Sequence, residues 1–179
     1  MDKALILHGW FCKPEDHWYK SVGESLKKQG IDVSIPILEN NETPTLKDWT
    51  NSALKKFEID ENTLIIGHSL GAALAMKLVE NLDFSIEQLV LVAAWDFWDL
   101  TKEHETFYAG GLNHKKIIQN SHKRTLVLSD DDPFIPTCNE YQAEEMKKRF
   151  EAELITIKNG QHFREEDGFI KFPQLLEIL

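Results

Sequence analysis

The chain has 179 residues, 42% of them hydrophobic and 28% charged, and 30 acids against 20 bases give a net charge of −10. That length suits one domain spanning 1–179, and the composition fills a core and argues against disorder. The acidic balance argues against a nucleic-acid or anionic-membrane partner, since positive charge gathers only in short pairs such as Lys27-Lys28 and Lys55-Lys56.

Met1-Asp2-Lys3 leads into an apolar run over 4–7, too short for a signal peptide. No stretch approaches transmembrane length. Two cysteines, Cys12 and Cys138, cannot build a disulfide framework or a Cys-rich metal site, and free thiols in a reducing cytosol are expected. The expected location is therefore cytoplasmic.

Further apolar runs lie at 31–37, 63–66, 88–94, 125–128 and 153–157. Most are nearly continuous in Val, Ile and Leu, as suits strands buried on both faces. Helical patterns alternate with them. The pattern over 15–29 stops at Gly30, and that over 45–57 starts with Thr45 as N-cap and Asp48 in its first turn. The pattern over 70–81 opens with small residues, that over 137–150 ends in Lys147-Lys148-Arg149, and a short helix fits 173–179. The alternation predicts an α/β fold in three layers, a doubly wound, mostly parallel sheet of about six strands. The segment 95–123 breaks the rhythm. It carries Trp95, Phe97, Trp98, Phe107 and Tyr108 with Gly110-Gly111, and its length suggests a small cap or lid.

Gly67-His68-Ser69-Leu70-Gly71 follows the run 63–66 and precedes Ala72-Ala73-Leu74-Ala75, which is G-x-S-x-G in the context of strand, turn and helix. A nucleophile at the tip of so sharp a turn needs small neighbours two residues away on each side, and Gly67 and Gly71 supply them. The turn also aims the Leu70 N–H at the reacting centre, beside a helix N-terminus.

A serine hydroxyl needs an adjacent base. His68 should diverge from Ser69, and His8 should shape the turn after the first strand. His17, His104, His114 and His122 read as polar surface residues. His162, in Asn159-Gly160-Gln161-His162-Phe163, follows the last strand at the sheet edge where ligands bind, and is the expected base. Its orienting acid is sought in Asp130-Asp131-Asp132-Pro133-Phe134-Ile135-Pro136. Mutual repulsion lets at most one of the three carboxylates face the base. Asp130 is expected at the strand end and Asp131 facing solvent or capping the next turn. Asp132, opening a loop stiffened by two prolines, is preferred partly on the family pattern below, with Asp96 as the outside candidate. The order Ser69, Asp132, His162 is that of α/β-hydrolases. After the first strand, His8-Gly9-Trp10-Phe11 could supply a second oxyanion donor, the Trp10 N–H. No nucleotide-binding or metal motif competes, so no metal and no cofactor are expected.

On these residues the chain resembles the α/β-hydrolase superfamily. It is most similar to the small YdeN-like and retinoblastoma-binding-protein-nine-like serine hydrolases. The resemblance spans the chain and rests on His8-Gly9-Trp10, His17-Trp18, the elbow, Asp132-Pro133-Phe134-Ile135-Pro136 and Gly160-Gln161-His162-Phe163. It implies Ser69 as nucleophile, Asp132 as acid, His162 as base and a trimmed hydrolase fold lacking the first two strands of larger relatives. Neither cysteine sits in the Leu-x-Cys-x-Glu segment that family members can carry, so no retinoblastoma-type partner is transferred. The expected activity is hydrolysis of small apolar acyl esters, or amides, through an acyl-enzyme. Trp10, Phe11, Trp95, Phe97 and Trp98 are the expected substrate contacts. An acyltransferase and an idle hydrolase fold used for protein interaction are the rival readings.

Overall fold

The apolar runs become the strands β1 (Lys3–Leu7), β2 (Asp32–Ser34), β3 (Thr63–His68), β4 (Ile86–Val92), β5 (Ser121–Ser129) and β6 (Glu153–Ile157) of a computed structural model that describes residues 1–96, 104–135 and 139–179. They form one sheet in the order β2-β1-β3-β4-β5-β6, and every neighbouring pair is parallel. Helices cover both faces, which is why the central strands carry long apolar runs. Ala4 to Leu7, Leu64 to Ile66 and Leu89 to Val92 are buried without interruption.

The helices are α1 (Tyr19–Lys28), α2 (Leu46–Leu54), α3 (Leu70–Glu80), α4 (Glu105–Tyr108), α5 (His114–Gln119), α6 (Glu140–Phe150) and α7 (Pro173–Leu176). On one face α1 meets the start of α7, with the Trp18 and Phe172 rings 5.6 Å apart. The other face carries α2, α3, α5 and α6 packed in series. Helix α3 is buried along nearly its whole length. Thr45 caps α2 by accepting the Asp48 N–H at 3.1 Å. After α1, Gly30 at φ +86° lets the Ile31 N–H reach back to the Leu26 carbonyl.

Several boundaries differ from expectation, three of them for a visible local reason. Helix α1 starts four residues late, because Asp16 closes a turn onto the Lys13 N–H at 2.8 Å and His17 sits at φ +52°. Edge strand β2 is only three residues long, since Pro36 has no N–H to give a ladder. Strand β5 begins at Ser121, four residues early. The polar His122-Lys123-Arg124 had disguised it, and Arg124 satisfies itself on the Phe150 and Ile118 carbonyls.

From β1 the chain crosses to β2 on one side, while β3 lies on the other. The turns after β1 and β3 therefore open a crevice at the carboxyl edge of the sheet, where open parallel sheets bind ligands.

Candidate active site

Strand β3 runs straight into α3 through Ser69, whose φ of 55° and ψ of −124° place a non-glycine residue in strained backbone. The strain is held by a 2.9 Å bond from the Ser69 N–H to the Val92 carbonyl and by the Ala72 N–H on the Ser69 carbonyl. The flanking glycines are obligatory. A Cβ on Gly67 would lie 2.5 Å from the Gly71 carbonyl oxygen, and one on Gly71 would lie 2.5 Å from that of His8.

Ser69 Oγ is 3.0 Å from His162 Nε2, and His162 Nδ1 is 2.7 Å from Asp132 Oδ2. A carboxylate only accepts, so Nδ1 carries the ring proton and Nε2 is free to accept the serine proton. The Asp132 carboxylate is fully buried. Its other oxygen, Oδ1, accepts the Phe134 N–H at 2.9 Å, which fixes the turn through Pro133. The acid expected from the sequence thus lies against the expected base. Asp96 does not: its buried carboxylate is gripped by Arg149 at 2.6 and 2.7 Å and by His114 at 2.8 Å. Burial works against the Asp96 charge, but those two hydrogen-bond partners prevail and hold its pKa below the usual range.

The neighbours of Asp132 are not solvent-facing spectators, which corrects the expectation for Asp131. Asp130 accepts the Asn159 N–H at 2.8 Å, and Asp131 accepts the Gln161 N–H at 2.8 Å and the Gln161 side-chain amide. On the far side Asp167 accepts the N–H groups of His162 and Arg164. Asn159, Gln161 and Phe163 all have φ between 47° and 57°. This strained loop is held open by carboxylates on its amides, and at its tip stands His162.

The remaining histidines divide. His68 turns away from Ser69, as expected. His8 shapes its turn by bonding the Gly9 carbonyl and by accepting the Leu38 N–H. His122 is exposed. His17, His104 and His114 are not plain surface residues. His17 accepts the Glu165 N–H at 3.0 Å, and His104 is buried with its ring 5.0 Å from that of Trp10.

A cleft of about 440 Å³ opens over Ser69 and His162. One wall is aromatic, made by Trp10, Phe11, Trp95, His104 and Phe134, with Ile135 beside them. The lining also includes the polar side chains of Asp16, His17, Arg164 and Glu166. The Arg164 guanidinium lies over the Phe134 ring at 5.0 Å while paired with Asp167 and Glu166. Cys12, a free thiol lining the cleft, is pushed up by burial to a pKa of about 11. The expected contacts Trp10, Phe11 and Trp95 line this cleft; Phe97, Trp98 and Cys138 lie outside the described residues. Phe134, His17, Arg164 and His104 were missed as contacts. Phe134 was legible from its place beside Asp132, whereas His17 and Arg164 arrive through loop geometry. Among the described residues no group of His, Cys, Asp and Glu side chains could hold a metal ion, and no helix is long and apolar enough to cross a membrane.

The family model described as serine hydrolase matches residues 4–179. The chain belongs to that family. It is 26% identical over 181 residues to the hydrolase YdeN of Bacillus subtilis (strain 168), covering 99% of this chain and 94% of that one. It is also 26% identical over 177 residues to serine hydrolase RBBP9 of Rattus norvegicus, covering 98% and 87%. The crystal structure of the Bacillus subtilis ydeN gene product superposes with a TM-score of 0.89 at 25% identity, covering 99% and 96% of the two chains. The fold also matches Est1E from Butyrivibrio proteoclasticus, with a TM-score of 0.65 at 17% identity over 99% and 88%. This member of the serine hydrolases therefore has the trimmed α/β-hydrolase fold, with a six-stranded, all-parallel sheet.

Proposed function

We propose that this hydrolase cleaves esters of small apolar or aromatic acyl groups, and amides of the same acyl groups, through an acyl-enzyme on Ser69. The supporting observation is the unbroken relay from Ser69 Oγ through His162 to the buried Asp132, set under a cleft whose lining includes Trp10, Phe11, Trp95 and Phe134. In this reading Ser69 Oγ attacks the carbonyl carbon as His162 Nε2 takes its proton, and Asp132 steadies the resulting imidazolium.

The carbonyl oxygen becomes an oxyanion and needs donors that are already in place. The N–H of Leu70, at the first turn of α3, and that of Trp10 are assigned to it; among the described residues neither has an acceptor within the protein. His162 then returns its proton to the leaving alcohol or amine. A water that gives its proton to His162 attacks the acyl carbon, and His162 returns that proton to Ser69 Oγ as the acyl C–O bond breaks and the acid leaves. No step calls for a cofactor. The aromatic wall takes the acyl group by apolar contact. The expected lid role of 95–123 is part of the same proposal. Within that segment α4 is tethered by Thr106, which accepts the Leu46 N–H, while His104 packs against both Trp10 and Trp95.

The test is turnover of a series of p-nitrophenyl esters. Wild type should hydrolyse them with a preference for apolar acyl groups. Ser69→Ala should lose on the order of 10⁴–10⁶ in kcat while keeping its fold. An unchanged rate in Ser69→Ala would remove the reading.

A further inference from the structure

Behind Ser69 runs a buried polar chain that the hydrolytic scheme leaves unused. The Gly9 N–H lies 3.2 Å from the Tyr19 hydroxyl, that hydroxyl lies 2.5 Å from His68 Nδ1, and His68 Nε2 lies 2.8 Å from the carbonyl oxygen of His162. Tyr19 and His68 are fully buried, so their polar atoms must find partners inside the protein.

The direction of every bond is forced. An amide N–H only donates and a carbonyl oxygen only accepts. Gly9 therefore donates to the Tyr19 oxygen, and the bond to the His162 carbonyl requires a proton on His68 Nε2. Burial holds the His68 pKa well below its ordinary value and that of the Tyr19 phenol well above its own, so both groups stay neutral. A neutral imidazole protonated at Nε2 has a bare Nδ1, which accepts the phenolic proton. One tautomer satisfies all three bonds. The other would turn a lone pair of Nε2 toward the His162 carbonyl oxygen.

The two ends of this chain are the parts that must be in register with Ser69. Gly9 precedes Trp10, the assigned oxyanion donor, and it backs against the nucleophile: a Cβ on Gly9 would lie 3.3 Å from Ser69 Cβ. The far end is the backbone of His162. His68, in the middle, is the residue directly before Ser69. Among the described residues neither Tyr19 nor His68 lines the cleft.

We propose that Tyr19 and His68 are positioning residues, which hold the oxyanion turn and the base in fixed register with the nucleophile through one directional hydrogen-bond chain. The proposal rests on the roles given above to Ser69, His162 and Trp10. Hydrolases must place such groups within fractions of an ångström, and a 1 Å misplacement can cost about 100-fold. A tyrosine and a histidine both buried beside the elbow are thus explained by geometry rather than by contact with substrate.

The experiment measures kcat and KM on an activated ester, and the second-order rate of labelling by a fluorophosphonate, in wild type and three variants. Tyr19→Phe keeps the ring and removes the hydroxyl. It should lower kcat and the labelling rate by about 10- to 100-fold with KM changed by no more than about twofold. His68→Gln can still donate an amide N–H to the His162 carbonyl and should keep most of the rate that His68→Leu loses. The nitrogen-15 shifts of His68 should report the Nε2–H tautomer in wild type and a mixture in Tyr19→Phe. Wild-type kcat and labelling in Tyr19→Phe would overturn the proposal and leave the hydrolase reading standing. Equal losses in His68→Gln and His68→Leu that merely follow their thermal stability would overturn it too. Failure of wild type to label at Ser69 would instead overturn the hydrolase reading, and this proposal with it.

Discussion

Asp131 accepts the backbone N–H of Gln161 at 2.8 Å, so the residue just before the candidate acid holds the residue just before the candidate base. Its neighbour Asp132 then meets His162 side chain to side chain at 2.7 Å. Two adjacent carboxylates in one turn thus serve two different tasks, one on backbone and one on imidazole.

That division sets the first prediction. Asp132→Asn should cut kcat by up to about 10⁴, because the amide favours the wrong tautomer of His162. Asp131→Asn should cost on the order of tenfold, through a loosened base loop. Its thermal midpoint should also fall. Steady-state kinetics with a melting curve for each variant checks this, and a larger kinetic loss at Asp131 would contradict the assignment.

Gly71→Ala probes the elbow from its other side. The added methyl would run into the backbone carbonyls of Leu7 and His8 at the end of β1, and backbone cannot step aside as a side-chain tip can. Overpacking of this kind costs about 3 kcal/mol or more. Urea denaturation of Gly71→Ala should show that loss or a protein that does not fold. A stable, fully active Gly71→Ala would refute the close approach of α3 to β1.

The inner strands and the elbow were legible in the sequence because both faces of the sheet are covered there, which gives β1, β3 and β4 long apolar runs. The start of β5 was hidden by the polar His122-Lys123-Arg124, since a strand end near solvent carries no such run. The late start of α1 depends on His17 at positive φ, a conformation that no residue type announces. Asp132 was chosen from its run of three carboxylates partly on the family resemblance, whereas Ser69 and His162 could be named in advance because each follows a strand end in hydrolase order. The amide-binding work of Asp130, Asp131 and Asp167 could not, because it depends on how the loop 159–163 folds back across the sheet edge. Asp96 looked like an acid candidate by the same strand-end rule. The competing cation, Arg149, comes from the distant helix α6.

The acid limb of stability should have two parts. Burial holds His8, His17 and His68 below the ordinary histidine pKa. A depressed folded pKa gives stability that is full above the unfolded value, about 6.5, and is lost as pH falls toward the folded one. The slope is about 1.4 kcal/mol per pH unit for each proton taken up on unfolding. Asp96, Asp131 and Asp167 are also depressed, so they add a second loss below about pH 4. Denaturation between pH 3 and 8 should therefore show stability declining already below about pH 6.5, with a shallower decline in His68→Gln. Constant stability from pH 7 down to 5 would contradict the buried neutral histidines.

The cleft aromatics should separate by burial. Phe11 and Phe134 are 64% and 54% exposed, so replacing either with Ala should change stability by less than about 0.5 kcal/mol. The same variants should raise KM for aromatic and longer apolar esters. Trp95 is 2% exposed, and Trp95→Ala should cost about 3–5 kcal/mol. An acyl-series profile of kcat/KM for the three variants checks this. Unchanged profiles in Phe11→Ala and Phe134→Ala would show that the aromatic wall does not select the acyl group.

Arg149→Met would strand the buried Asp96 charge with His114 as its remaining partner. Breaking a buried pair from one side costs about 3–5 kcal/mol, and the half-open Arg149 side chain places this one at or below the lower end. Asp96→Asn together with Arg149→Met should recover much of the loss, as a double-mutant cycle by chemical denaturation would show.

Fluorophosphonate treatment followed by intact-mass analysis and peptide mapping tests the central claim most directly. The account predicts a single adduct per chain, on Ser69, absent from Ser69→Ala and formed far more slowly in His162→Ala. An adduct on another residue, or ester hydrolysis by a protein whose Ser69 stays unmodified, would contradict it.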